Sequence, residues 1–285
     1  MAVEPPIEVP RSLEEAYAIL AAAPHRPMAG GTDLLVQITG ELGPPPERVI
    51  DLWRVEALRG ISLEERAVVL GALTTFTDIR RSAICREHVP ALVEAAATIG
   101  AVQIQNRATI GGNIANASPA GDSLPVLLAS DAEIVVGGAR GERSIPAADF
   151  WVAYRRIALE PDELVLRVRI PLTAGREIRF RKVGTRRAQA ISKVVLAVAW
   201  REHGRAGGWS DVRLALGSVA PTPIRAAATE AVLEGSRPTP ATADRAAETL
   251  ASELRPIDDV RSTADYRRTV AARVLHRLIR EAGGW

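Results

Sequence analysis

Two glycine pairs carry the most chemistry in this chain. The first lies in AGGTDLL, residues 29–35. The second lies in RATIGGNIANASPAGDS, residues 107–123. Glycine lets a backbone approach a ligand closely. Consecutive main-chain N–H groups in a tight turn form a concave anion site. Thr32, Thr109 and Asn113 add short side-chain donors beside the glycines. Two such loops can grip the two phosphates of a dinucleotide from opposite sides. Taken singly, each glycine pair also reads as an ordinary turn. Asp122 and Ser123 precede LPVLLAS, residues 124–130, where either can cap a helix; Asp122 can equally accept a bond from a ligand hydroxyl. Asn116 and Pro119 can simply shape the loop.

Other phosphate-binding devices are absent from the sequence. No G-x-G-x-x-G opens a helix, and no G-x-x-x-x-G-K-[ST] occurs, which argues against a nucleotide triphosphatase. The only lysines, Lys182 and Lys193, lie outside both glycine loops. The single cysteine, Cys85, excludes an internal disulfide and any iron–sulfur cluster held by this chain alone. It reads as a structural thiol in a helical connection. His25, His88, His203 and His276 are too scattered for a metal site, so no protein-held metal is expected.

The elements that must position these loops follow from periodicity. Residues 11–23 read as a helix capped by Ser12, with Glu15 completing a capping box. Residues 48–55 read as a short strand and its exit, and 61–73 as two strands about a charged turn. Thr75 and Asp78 stand in capping-box spacing at the head of a helix. Residues 90–106 are apolar at helical spacing. Residues 132–146 read as a hairpin and 163–172 as a half-buried strand. Three strands then begin near residue 176, followed by helices over 223–235, 241–254 and 263–283. The expected organisation is α+β: an N-terminal part ending near 172–176, then a sheet-plus-helices domain.

At 285 residues and 47% hydrophobic, the chain has the profile of a globular protein with two or three modules. The net charge of +2, without blocks of like charge, argues against nucleic acid. No apolar run is long enough to span a membrane. The N-terminus lacks the pattern of a signal peptide, and the expected location is cytoplasmic.

The two loops together, with LGALTTFTDI at 70–79, FWVAYRR at 150–156, LEPDELVLRVRIP at 159–171 and RKVGTRRAQAISKVVLA at 181–197, resemble the FAD-binding subunit of molybdenum hydroxylases. This is the xanthine dehydrogenase and carbon monoxide dehydrogenase family. The resemblance implies a PCMH-type FAD-binding fold over 1–173, with two α/β subdomains of about 1–56 and 57–173. A C-terminal domain over 174–285 completes it. It implies that FAD is cradled by Met28, Ala29, Gly30, Gly31, Thr32, Asp33, Leu34 and Leu35 on one side. Thr109, Ile110, Gly111, Gly112 and Asn113 form the other. On this likeness the N–H groups of Gly30, Gly31, Thr32 and Asp33 face those of Gly112 and Asn113 and the Thr109 hydroxyl. Asn116 and Asp122 match positions near the phosphates and the ribose or adenosine part. Val165 matches an apolar position against the cofactor rings, and also reads as a plain core valine. Lys182 matches a family lysine, and also reads as a snorkelling surface lysine. The segment after Arg186 and Arg187 departs from the family: Gln189 and Ala190 stand where an acid is common.

The resemblance further implies partners. A molybdenum-cofactor large subunit oxidises substrate, and a small subunit with [2Fe–2S] clusters passes electrons to this chain's FAD. The flavin hands them to NAD⁺, O₂ or a quinone, and the complex is expected to be a dimer of heterotrimers. Two other readings remain open at this point: a stand-alone flavin reductase on the same fold, like UDP-N-acetylenolpyruvoylglucosamine reductase, and a non-redox scaffold paralogue.

Overall fold

In the computed structural model, residues 5–41, 43–203 and 207–285 are described. The chain begins with a small parallel sheet, ordered β1 (Ile7–Glu8), β3 (Val49–Asp51), β2 (Arg26–Met28). Helix α1 (Leu13–Ala22) joins its first two strands, and α2 (Leu34–Thr39) follows the first glycine loop. The Ser12 hydroxyl caps α1 as expected. Glu15, however, accepts from the Arg11 N–H, so the capping box is displaced by one residue.

An antiparallel sheet forms the centre of the N-terminal region. Its order is β4 (Ile61–Glu64), β5 (Ala67–Gly71), β10 (Leu164–Pro171), β6 (Glu133–Gly138), β7 (Gly141–Pro146). Helices α3 (Phe76–Arg81), α4 (Ala83–His88), α5 (Pro90–Thr98), α6 (Val102–Gln105), α7 (Ile110–Asn116) and α8 (Leu124–Ala129) lie between β5 and β6. Short α9 (Ala147–Phe150) leads into the hairpin β8 (Trp151–Ala153) and β9 (Arg156–Ile157). The Thr75–Asp78 capping box forms in full at α3. The expected single helical run over 90–106 is broken: Gly100 adopts φ +53 and separates α5 from α6.

The C-terminal sheet is antiparallel, β11 (Arg176–Val183), β12 (Val194–His203), β13 (Gly208–Gly217), β14 (Ile224–Arg225). Helices α10 (Ala227–Leu233), α11 (Pro240–Glu253) and α12 (Ala264–Gly283) cover one face. The expected helix over 223–235 is shortened because β14 takes its first residues. β12 is buried on both sides. Val195, Ala197 and Ala199 join the N-terminal core, and Val194, Leu196, Val198 and Trp200 join the C-terminal one. Charged groups reinforce this seam. The Arg176 guanidinium bridges Asp131 at 3.0 Å and Asp211 at 2.5 Å.

Candidate functional site

The two glycine loops lie against each other. A Cβ on Gly30 would stand 1.8 Å from the Arg107 carbonyl oxygen, so only glycine permits this approach. The Arg107 segment is itself pinned, because its guanidinium stacks on Trp53 at 3.7 Å from the ring centre. Arg59 covers the same ring at 4.5 Å and donates to the Trp53 carbonyl at 2.6 Å.

The second glycine pair opens helix α7 rather than forming a separate turn. A Cβ on Gly111 would lie 2.6 Å from that of Ala72, so this glycine is required by packing. A Cβ on Gly112 would meet only the Thr109 hydroxyl, at 3.0 Å, and the Ala29 methyl, at 3.9 Å. Its open side faces the cleft, where a bulky group can be seated.

The N–H groups of the two loops differ. At the head of α7 all four are engaged. Ile110 donates to Thr74 O and Gly111 to Ala72 O, each at 2.9 Å; Gly112 donates to the Thr109 hydroxyl and Asn113 to Thr109 O, each at 3.0 Å. In the first loop, the N–H groups of Gly30, Gly31, Thr32 and Asp33 have no acceptor among the described residues. Four consecutive unpaired donors at the edge of a cleft form an anion cradle. On the second loop the hydroxyl hydrogen of Thr109 remains available for donation.

The cleft has a volume of about 540 Å³, within the range of small-molecule sites. Met28, Ala29, Leu34, Asn116, Asp122 and Val165 line it along with both loops. Val165 is at once a core residue of β10 and part of the wall. Three of the expected residues lie outside the lining. Leu35 projects to solvent, Ile110 is buried beneath the loop, and Lys182 stands behind Asp122.

Asp122 and Lys182 pair at 2.5 Å, and the ammonium also donates to Thr98 O at 2.9 Å. Lys182 is therefore an internal counter-charge rather than a surface residue. Burial pushes the Asp122 carboxyl above the usual carboxylate range, and the ammonium opposes that shift. Its second oxygen, Oδ1, is buried without a partner among the described residues. Neither Asp122 nor Ser123 caps α8: Ser123 has helical backbone angles, and its hydroxyl donates to Asn113 Oδ1 at 2.6 Å.

Asn116 bridges the loops. It donates to Asp33 Oδ1 at 3.1 Å and accepts from Arg155 at 3.3 Å. Arg155 was not foreseen. It occupies a left-handed turn, φ +52, between β8 and β9, without the Gly or Asn that announces one. Trp53 was missed too: it lies in a single 3-10 turn, Leu52–Arg54, just past β3, where a lone aromatic carries no pattern.

FAD fits this arrangement. Its pyrophosphate matches the unpaired N–H groups of the first loop, the open face of Gly112 admits close approach, and the lone Asp122 oxygen can accept from a hydroxyl. Cys85 takes no part, being fully buried in α4 with its thiol pushed up by burial.

Comparisons with known proteins agree. A family model described as the FAD binding domain in molybdopterin dehydrogenase matches residues 3–173. One described as the CO dehydrogenase flavoprotein C-terminal domain matches 179–282. The carbon monoxide dehydrogenase medium chain of Hydrogenophaga pseudoflava is 33% identical over 276 residues, covering 96% of this chain and 95% of that one. The xanthine dehydrogenase FAD-binding subunit of Escherichia coli O157:H7 is 31% identical over 281 residues, with the same coverage. A solved carbon monoxide dehydrogenase from H. pseudoflava, lacking the Mo-pyranopterin moiety of the molybdenum cofactor, superimposes with a TM-score of 0.92 at 34% identity, covering 97% of this chain and 96% of that one. The glycine-loop cleft, the two matched domains and these relatives lead to one conclusion: the chain belongs to the FAD-binding medium subunits of the molybdenum hydroxylases, a family of oxidoreductases.

Proposed function

We propose that this chain holds FAD in the cleft between its glycine loops and relays electrons from [2Fe–2S] clusters of a small partner subunit to a terminal acceptor. The observation that carries this is the run of four unpaired N–H groups from Gly30 to Asp33, opposite the open face of Gly112. Bound FAD supplies the redox chemistry, and the protein supplies position and electrostatics. Gly30 to Asp33 bind the phosphates. Thr109 donates its hydroxyl, and Asn113 and Asn116 hold the second loop in register. Asp122, kept in place by Lys182, accepts from a hydroxyl of the cofactor. Val165 packs against a ring.

Partners follow from the cysteine content. One buried cysteine cannot ligate a cluster, so the clusters sit in another chain, and the molybdenum cofactor in a large subunit. We place the assembly, a dimer of heterotrimers, in the cytoplasm. No helix of the described residues is long and apolar enough to cross a membrane. NAD⁺ is the acceptor class proposed for test, against O₂ and quinones.

The test is a flavin spectrum. The purified chain, mixed with FAD and gel-filtered, should retain visible flavin absorbance. Co-expression with the neighbouring subunits should yield a cluster-bearing complex that reduces NAD⁺. A folded chain that holds no flavin, alone or in that complex, would sink the reading.

A further inference from the structure

The C-terminal domain contributes a cation to the cleft. Asp259 to Ser262 form a tight turn, with paired backbone bonds of 3.1 and 3.2 Å between these two residues. The Asp259 carboxylate accepts the N–H groups of Arg261 at 2.8 Å and Ser262 at 3.0 Å, freezing the turn. Arg267, almost wholly buried on α12, ties it down. Its guanidinium donates to Asp259 at 2.6 Å and to the Ser218 carbonyl at 2.5 Å. Ser218 is joined in turn to the second glycine stretch, donating its N–H to Pro119 O at 2.7 Å. A buried arginine fixed this way is an expensive feature unless it positions something. What the turn presents to the cleft is Arg261.

The charges along the cleft differ from end to end. Asp33 and Arg155 are joined through Asn116, and Glu160 and Glu163 precede Val165 in the lining, Glu163 being held by Arg143 at 2.7 Å. At the other end the wall is Gly100, Ala190 and Ile191, closed by a bond of 3.2 Å from Gln189 N–H to Gly100 O. No carboxylate lines that end except Asp122, which Lys182 compensates. Ribose hydroxyls and the adenine amine are donors and suit the acidic end. The isoalloxazine ring is neutral when oxidised. Two electrons and one proton, added at N5, leave it a monoanion with the charge around N1. That ring suits the end at Ile191, beside which Arg267, the anchor of the Arg261 turn, donates to Lys193 O at 3.4 Å.

We propose that Arg261 is a cofactor-contacting residue whose guanidinium faces the N1 edge of the flavin and stabilises its reduced anion, with Asp259 and Arg267 as its positioning residues. The proposal rests on the FAD reading above.

The experiment is a dye-equilibration measurement of the two-electron flavin potential on the full chain loaded with FAD. Arg261→Met should lower the potential by about 30 mV or more, a tenfold change in the reduction equilibrium. Arg261→Lys should restore most of the shift. FAD should be retained and thermal stability unchanged, since the Arg261 side chain's only partner among the described residues is Asp259, at 3.4 Å. Asp259→Asn should shift the potential the same way, by less. A potential unchanged in Arg261→Met with FAD bound overturns the proposal while leaving the FAD reading intact. A wild-type chain that binds no FAD overturns both.

Discussion

Asp122 and Lys182 meet at 2.5 Å where the second glycine stretch touches the first strand of the C-terminal sheet, and both are nearly closed to solvent. The pair joins the cofactor cleft to the seam between domains. Removing one partner strands the other charge, so Lys182→Met should cost about 3–5 kcal/mol in urea unfolding. The double variant Asp122→Leu with Lys182→Met should recover much of that loss while still binding FAD poorly. A Lys182→Met chain as stable as wild type would remove the pair from this role.

The glycines of α7 should separate folding from binding. Gly111→Ala forces a methyl into Ala72 and should lower stability by about 1–3 kcal/mol. Gly112→Ala meets only the end of the Thr109 side chain and otherwise fills the cleft, so it should change the melting temperature far less than Gly111→Ala while raising the FAD Kd at least tenfold. Thermal melts and flavin titrations on the two variants would check the contrast.

Trp53 should act on the cofactor without touching it. Trp53→Ala removes two cation–π contacts, each worth about 0.5–1 kcal/mol. The Arg107 segment then loosens behind Gly30, and FAD should dissociate several-fold faster. Stopped-flow release of the flavin would read this directly.

Asp259 should impose a pH dependence. Loss of solvent works against its ionisation. The N–H bonds from Arg261 and Ser262 and the Arg267 charge outweigh that, and hold its carboxyl below the usual range. A folded-state value below the unfolded one gives stability that is present above the ordinary carboxylate range and is lost as the pH falls through the folded value. Asp259→Asn should thus be destabilised at neutral pH. Its gap to wild type should close on acidification, as followed by urea midpoints at several pH values.

Local rules were legible in the sequence. The Thr75–Asp78 capping box, the hairpins and the three long strands of the C-terminal sheet could be read because each signal lies within a few residues. The helix break at Gly100 was hidden by apolar spacing that continues across it; the positive φ there, and the 2.7 Å that a Cβ would leave to Ile104, are visible only in the fold. That TIGGN begins a helix was obscured by two glycines, which are poor helix formers; bonds to Ala72 and Thr74 override that preference. That the two glycine loops carry special backbone was readable from residue types; that the Gly112 and Asn113 N–H groups, expected to face the phosphates, are instead spent on Thr109 was not. The Asp122–Lys182 pair was not, since sixty residues separate its members and only the packing of β11 brings them together.

β12 has a final consequence. Every residue from Val194 to Trp200 is buried, with successive side chains serving opposite cores. Neither half can melt without stripping a shared wall from the other, so two family modules should behave as one thermodynamic unit. Calorimetry should record a single heat-absorption peak for the full chain. Cutting at the linker near residue 174 would then not release two domains but leave each with an apolar face open to water.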